Sequence, residues 1–456
     1  MLSEKTISPL LIFSVLITLA AASLQAQKYD ADRVQEYLDA RVDRDLNQSI
    51  IVGVIDISGE KYLTAGQVSA NDPRPPKPED VFEIGAVSQA FTATATSALV
   101  VDRQLLWSQP VNAFVPKEVS VPRFMNMPLL LMHLGTHTSG LPHNPPNLQP
   151  KDVNDPFADY SQLDLYIGIT VLGMTIPPGQ EYQNSMLGYG LLGDVLSLRT
   201  NKPFSEVIET YVSRPLALKD TSATIDPEKM IPGHNGLQVV PNWHWDSLVG
   251  GGGLYSSARD LLRFVAANLG MVKVDQDDAR ALRMTQNVYI RTSMPNTSVC
   301  YGWHMTQKGM QSVYWQSGKT GGYACFIGFN PITRTGCVIL TNTAQSLDDV
   351  GFYILDPEQF PLPAPPPSGI LPIKQLKKYL GTYKVGPDAE IHITNDGGKL
   401  YAQIPGQPSY RVYPVGKNEF AYATGDVRIK FNDARGTVDS LTMVIGLKTI
   451  SGRRVK

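Results

Sequence analysis

Several short stretches carry residue types that could do chemistry. His133 and His137 stand four apart, the spacing that sets two imidazoles on one helical face and that zinc sites use. No acidic residue has a spacing that completes such a site, so a structural role is expected for both. Ser58-Gly59-Glu60-Lys61 pairs a hydroxyl with an amine three residues on, an arrangement that can activate a serine, but it falls where a turn is expected. Tyr182-Gln183-Asn184 offers a phenol beside an amide, and Lys319-Thr320-Gly321 an ammonium beside a hydroxyl. Cys300, Cys325 and Cys337 are odd in number and lack a Cys-x-x-Cys spacing, so neither a zinc site nor a disulfide framework is indicated. Buried thiols are expected, with one disulfide between two of them left open. No cofactor is implied.

These residues need elements to position them. From Ala86 to about Leu106 nearly every residue is small or apolar, the composition of a helix buried on all sides. A helix is also expected over 34–46, and a hairpin over 50–66 turned at Ser58-Gly59. A Pro-rich loop over 72–78 leads into the central helix. Ser256 or Ser257 is placed to cap a helix that begins near Ala258, and strands are expected over 301–305, 313–315, 323–329 and 337–343.

Phe82-Glu83-Ile84-Gly85-Ala86-Val87-Ser88-Gln89-Ala90-Phe91-Thr92 resembles the segment F-x-I-G-S-x-S-K-x-F-T of the serine β-lactamase and penicillin-binding protein superfamily, in its class C, esterase and D-alanyl-D-alanine carboxypeptidase branch. Leu129 to Pro142 resembles that family's L-x-x-L-L-x-H-T-S-G-L-P segment, where histidines help hold the loop, and 250–264 resembles its G-G-L-Y-S-T-A-R-D-L-A-R-F. The resemblance covers about residues 30–350 and implies a mixed α/β (α+β) domain. In it an antiparallel sheet is flanked by helices and joined to a helical lobe, with the pocket at the start of the central helix.

The resemblance also implies where catalysis would sit. In the family the first serine of the segment is the nucleophile and the lysine three residues on is its proton partner; here those positions hold Ala86 and Gln89. The second segment, P-G-x-x-F-x-Y-S-N-x-G-Y-G-L-L-G, pairs without a gap with 178–193, which sets Asn184 at the tyrosine base and Met186 at the asparagine. A rival pairing takes Tyr182-Gln183-Asn184 as Y-x-N, at the expense of a deletion and an insertion. On the third segment, T-G-G-F matches 320–323, so the functional triplet is Gln316-Ser317-Gly318; the other register takes Lys319-Thr320-Gly321 as K-T-G. No catalytic position is therefore intact. Backbone N–H groups of Ala86 and Lys319 fall where the family's oxyanion donors lie. A ligand would be met by Ala86, Gln89, Asn184, Met186, Gln316, Ser317, Gly318 and Lys319.

Residues 1–26 have the form of a signal peptide, with Lys5, an apolar run from Leu10 to Ala22, and Leu24-Gln25-Ala26 as the cleavage site. A secreted or periplasmic protein without a stable membrane span is expected. The formal net charge of −2 gives no reason to expect nucleic acid as partner. Residues 27–355 are read as the β-lactamase-related domain and 356–373 as a Pro-rich linker. Residues 374–456 hold short alternating strands that suggest a small all-β barrel, similar to the lipocalin-like domain many family members carry. The function expected is ligand or partner binding by an inactive member, with a small peptide, ester or carboxylate as ligand. The alternatives are a serine hydrolase (esterase, D-alanyl-D-alanine carboxypeptidase or β-lactamase type) using a relocated nucleophile, and a scaffold acting through the barrel.

Overall fold

The computed structural model describes residues 28–455 except 225, 367–370, 387–388, 407–408, 423–426, 435–436 and 447. The signal-peptide reading of residues 1–26 lies outside the described residues. Among those described, no helix is long and apolar enough to cross a membrane.

The first helix, α1 (Ala31–Asp43), begins earlier than the apolar spacing predicts because the Asp30 carboxylate caps the N–H groups of Asp32 and Arg33 at 3.0 and 3.1 Å. Its buried face is Val34, Tyr37 and Leu38. The predicted hairpin is β1 (Ser49–Asp56) and β2 (Gly59–Gly66). The short strand β3 (Val81–Glu83) runs into a single 3-10 turn (Gly85–Val87) and then α2 (Ser88–Val101), the buried central helix. That helix stops before Leu106: Arg103 takes a left-handed φ of 60°, and Gln104 N–H closes on Leu99 O at 2.8 Å. Its threonines are tolerated inside because Thr94 and Thr96 donate to the carbonyls of Ala90 and Thr92 at 2.7 and 2.8 Å.

A helical lobe follows, with α3 (Leu131–Gly135), α4 (Gln162–Thr170), α5 (Met186–Thr200) and α6 (Phe204–Ile208). After the small hairpin β4 (Gly233–Asn235) and β5 (Gln238–Val240), the glycine run forms the short helix α7 (Val249–Gly252). Strand β6 (Tyr255–Ser257) pairs with β3 and leads into α8 (Ala258–Asn268), where Ser257 is the cap, accepting from Asp260 N–H. Then come α9 (Gln276–Thr285), β7 (Ile290–Arg291), β8 (Thr297–Val299), β9 (His304–Lys308), β10 (Gln311–Lys319), β11 (Ala324–Asn330), β12 (Thr335–Thr341) and α10 (Asp348–Leu355).

The main sheet has the order β2-β1-β12-β11-β10-β9-β8-β7, with neighbours antiparallel. Both faces are covered, and the two-residue period of β1 sorts its side chains between them. Ile50, Val52 and Val54 pack with α1 and α10, whereas Ile51 and Ile55 pack with α2 and α8. The antiparallel sheet flanked by helices, with its helical lobe, is the fold expected from the sequence.

Beyond α10 the proline-rich stretch is partly docked. Leu362 is buried, its carbonyl accepts from the Arg33 guanidinium, and Phe360 lies 5.0 Å from Phe352, ring to ring. Eight further strands, from β13 (Gly381–Lys384) to β20 (Lys448–Arg454), close an antiparallel barrel. Tyr383, Leu400, Val412, Phe420, Ile429, Phe431 and Leu441 fill its core. On the strand Tyr410–Gly416, Arg411 and Tyr413 both reach Asp45 at the end of α1, the phenol at 2.7 Å.

Candidate functional site

The site is built where the 3-10 turn before α2 meets the end of β10. Two glycines permit the contact. A Cβ on Gly318 would stand 2.1 Å from Ile84 O and 2.7 Å from Ala86 N, and one on Gly85, whose φ is 50°, would stand 2.8 Å from Lys319 N. Thr320 N–H donates to Tyr323 O at 3.0 Å, and hydrogen-bonded pairs alternate along an antiparallel ladder. Lys319 pairs with Ala324 at the intervening position, so its N–H points away from β11, toward the 3-10 turn. The N–H groups of Ala86 and Lys319 thus come from two backbones in contact.

Beneath Ala86, in the first turn of α2, Gln89 is 1 % exposed and sits at the centre of a neutral hydrogen-bonded cluster. Its Oε1 lies 3.0 Å from His137 Nε2 and accepts from Gln316 Nε2 at 3.3 Å, while its Nε2 donates to Gly251 O at 3.2 Å. His137 Nδ1 accepts from Ser185 N–H at 3.0 Å, which fixes the proton on Nε2 and makes His137 the donor to Gln89. Gln316 Nε2 also donates to Gly302 O, and its Oε1 accepts from Ser317 N–H. Each amide both donates and accepts, and burial depresses the His137 imidazole to about 3, so every member is uncharged at neutral pH.

The rest of the predicted set divides. Gln89 and Gln316, both buried, form the floor under Ala86 instead of a contact surface. Ser317 is not in the cleft at all. Side chains alternate along β10, and its hydroxyl faces the Asp348 carboxyl on α10, away from Gln316 and Gly318. Met186 opens α5 and lies against Gly251, where an added Cβ would stand 2.8 Å from Met186 Cγ. Asn184 is exposed, as is the Lys319 side chain.

It is Tyr182 that the structure brings to the cluster, in favour of the rival Y-x-N pairing. Its ring meets His137 edge-on at 5.8 Å, and its hydroxyl lies 2.9 Å from His304 Nε2. Burial pushes the phenol up to about 12, with the neighbouring Asn184 amide opposing. His304 was not anticipated: it is held by stacking on Trp315, 4.7 Å away, and burial lowers it to about 4. Only the cross-strand register that pairs Trp315 with His304 brings it here, and a single sequence carries no signal for that.

The remaining candidates are structural. His133 Nδ1 accepts from Leu130 N–H at 3.2 Å, so the two histidines of the i, i+4 pair engage different partners. Ser88 is fully buried and its Oγ accepts from Leu254 N–H at 3.0 Å, on the side of α2 away from the cleft. Ser58 lies in the β1–β2 turn, bonded to Asp56. The three cysteines are free and buried.

Comparison with known proteins agrees with this geometry. The beta-lactamase family model matches residues 32–353, and a domain of unknown function (DUF3471) matches residues 365–454. The D-alanyl-D-alanine-carboxypeptidase/endopeptidase AmpH of Escherichia coli (strain K12) is 23% identical over 336 residues, covering 70% of this chain and 86% of its own. The solved beta-lactamase/D-alanine carboxypeptidase from Pseudomonas syringae superposes with a TM-score of 0.62 at 21% identity, over 71% of this chain and 98% of that one. The octameric penicillin-binding protein homologue from Pyrococcus abyssi superposes with a TM-score of 0.64 at 17% identity, over 92% and 100%. At these identities the solved structures speak to the fold alone.

Proposed function

The chain belongs to the beta-lactamase family, and on that premise we propose that it is an exported member that has lost acyl transfer and binds a carbonyl- or carboxylate-bearing ligand in the cleft at Ala86. One observation carries the reading: the position that opens toward the two backbone N–H groups holds a methyl, and the groups beneath it are amides. Acyl transfer by an activated hydroxyl needs that hydroxyl, a base to take its proton and donors for the oxyanion. Ala86 has no hydroxyl, and Gln89 and Gln316 exchange no proton near neutral pH. With the nucleophile gone and no titratable group directly beneath it, binding and oxyanion stabilisation remain, and the N–H groups of Ala86 and Lys319 supply the latter. The activity named for the Escherichia coli relative makes a short peptide ending in D-alanyl-D-alanine the first ligand to try. The apolar run from Leu10 to Ala22 supports export.

Labelling of the purified protein with a fluorescent penicillin and a fluorophosphonate, followed by mass mapping, tests the reading. No adduct is expected. A stoichiometric adduct on any serine would replace this proposal with an active hydrolase, although Ser88, committed to Leu254 N–H, is badly placed for that role.

A further inference from the structure

Three hairpins in a row turn at one end of the main sheet. In the order β2-β1-β12-β11-β10-β9 each successive pair is joined by its own turn. Ile55 pairs with Gly336, Gly336 with Phe329 and Phe329 with Tyr314, so a single line across the sheet runs just below all three turns. Neighbouring turns are two strand spacings, about 10 Å, apart. Each carries one large apolar side chain: Ile57, Ile332 and Met310, which are 84 %, 54 % and 84 % exposed. Turn chemistry does not ask for them, since tight turns favour Gly, Pro, Asn, Asp and Ser. The bends are made by their neighbours. Asp56 Oδ1 accepts from Ser58 N–H at 2.7 Å, Asn330 Oδ1 accepts from Ile332 N–H at 3.0 Å, and Gly309 takes a φ of 61°. One exposed aliphatic residue is ordinary on a protein surface. One on each of three adjacent turns is a repeated feature of a single edge.

Two observations point to what covers this edge. Lys28 Nζ lies 2.8 Å from Asp56 Oδ2 at the root of the first turn, so the apolar run from Leu10 to Ala22, which precedes Lys28, joins the fold at this end. The turns are also flanked by cations on long stems, Lys61, Lys308 and Arg334, against Glu60 and Glu358. Aliphatic tips that enter the acyl boundary, beside lysine and arginine that reach the headgroups, fit a lipid interface. The near balance of charge assigns the attraction chiefly to the tips. The export proposed above brings the chain to a bilayer. The Ala86 cleft lies at the other end of β10, nine residues and about 27 Å away, so contact along this edge leaves the cleft open.

We propose that the edge formed by the turns at Ile57, Ile332 and Met310 docks on the surface of a phospholipid bilayer. The three cysteines are buried, so Met310→Cys supplies one reactive thiol for an environment-sensitive fluorophore. Val153→Cys, at a position 79 % exposed in the loop before α4, is the control. The probe is a vesicle of equal parts phosphatidylethanolamine and phosphatidylglycerol. The label at position 310 is expected to shift to the blue, saturably with lipid, and the label at position 153 is not. Ile57→Ser with Ile332→Ser, both at exposed turn positions, should weaken partitioning of the Met310→Cys protein by on the order of tenfold. No shift at position 310 would overturn the proposal and leave the edge to a protein partner. Equal shifts at the two positions would overturn it as adsorption without orientation. Partitioning unchanged by the two serines would overturn it by assigning the attachment to the segment ahead of Lys28 alone. The Ala86 cleft takes no part in the contact, so each of these outcomes leaves the reading of that cleft untouched.

Discussion

His137 donates its Nε2–H to Gln89 Oε1 across 3.0 Å, and the direction of that bond is fixed from the far side of the ring, where Nδ1 accepts from Ser185 N–H. The residue beneath Ala86 must therefore accept. A glutamine does so while donating to Gly251 O, and an ammonium has no acceptor to give.

Gln89→Lys alone is accordingly expected to destabilise the fold by ~2–4 kcal/mol, because it buries a charge against two N–H donors and leaves them unsatisfied. Thermal unfolding measures this. A melting temperature within a degree or so of the parent would show that the cluster can rearrange.

Acid should act through the same region. Burial holds His133 and His304 near 4 and His137 near 3. Between those values and the unfolded imidazole value of about 6.5, the unfolded chain binds protons that the native chain does not. Stability is thus full above about 6.5 and falls as pH falls through that window, by up to ~1.4 kcal/mol per pH unit for each histidine. Urea midpoints at a series of pH values report it, and His137→Gln should flatten the slope. A midpoint independent of pH across the window would contradict the burial of these rings as neutral species.

The backbone contact that makes the cleft is expected to be intolerant. Gly318→Ala drives a methyl to 2.1 Å from Ile84 O and should cost on the order of 3 kcal/mol. Gly173 has open space at its Cβ and no left-handed φ, so Gly173→Ala should be neutral or stabilise by up to ~1 kcal/mol. Equal effects of the two substitutions would mean that β10 and the 3-10 turn are not in van der Waals contact.

The sequence shows why some of this was legible and some was not. Glycines and caps encode backbone paths, so the β1–β2 hairpin, the Ser257 cap and the approach at Gly85 could be anticipated from local pattern. The buried composition of α2 was equally plain, but its end was not, because Arg103 in a left-handed conformation is invisible in a run of apolar residues. Ser317 was misplaced by reading a motif without its two-residue period. The gap-free pairing ranks Asn184 above Tyr182, because local pattern does not carry how the chain reaches His137, where Gln183 N–H meets the His137 carbonyl at 2.7 Å. His304 and the Asp45–Arg411 contact depend on pairings distant in sequence.

That last contact sets how the barrel is attached. Arg411 stacks on the Tyr413 ring at 4.6 Å, with its side chain 3 % exposed, and its Nη1 is held by Asp45. Asp45→Ala leaves the guanidinium buried without its carboxylate, at about 2 kcal/mol once the partial exposure of Asp45 is allowed for. Limited proteolysis should then cut faster within 363–372, beyond the docked Leu362. A double variant Asp45→Ala/Arg411→Met should recover much of the resistance. If Asp45→Ala leaves the cleavage rate unchanged, the barrel is held by contacts other than this one.

Restoring chemistry asks for three changes and no new tyrosine. Tyr182 already stands beside His137, so Asn184→Tyr should add nothing, whereas Ala86→Ser supplies a hydroxyl toward the Ala86 and Lys319 N–H groups. A serine whose neighbour at position 89 is an amide, and whose nearby Tyr182 phenol is held protonated, stays largely unactivated, so Ala86→Ser alone should not be labelled by a fluorescent penicillin. Gln89→Lys supplies the proton partner, and Gln316→His replaces one of the donors facing it with a ring nitrogen that can accept. The triple variant Ala86→Ser, Gln89→Lys, Gln316→His is expected to form a covalent adduct at residue 86, slowly, and Tyr182→Phe in that background should suppress it. Met186, resting on Gly251, is the side chain most able to obstruct the substrate. An inert triple variant with a normal unfolding transition would mean that the cleft no longer admits substrate, and Met186→Ala would test that directly. Labelling of Ala86→Ser by itself would mean that an unassigned base lies within reach, with the exposed Lys319 amine the next group to remove.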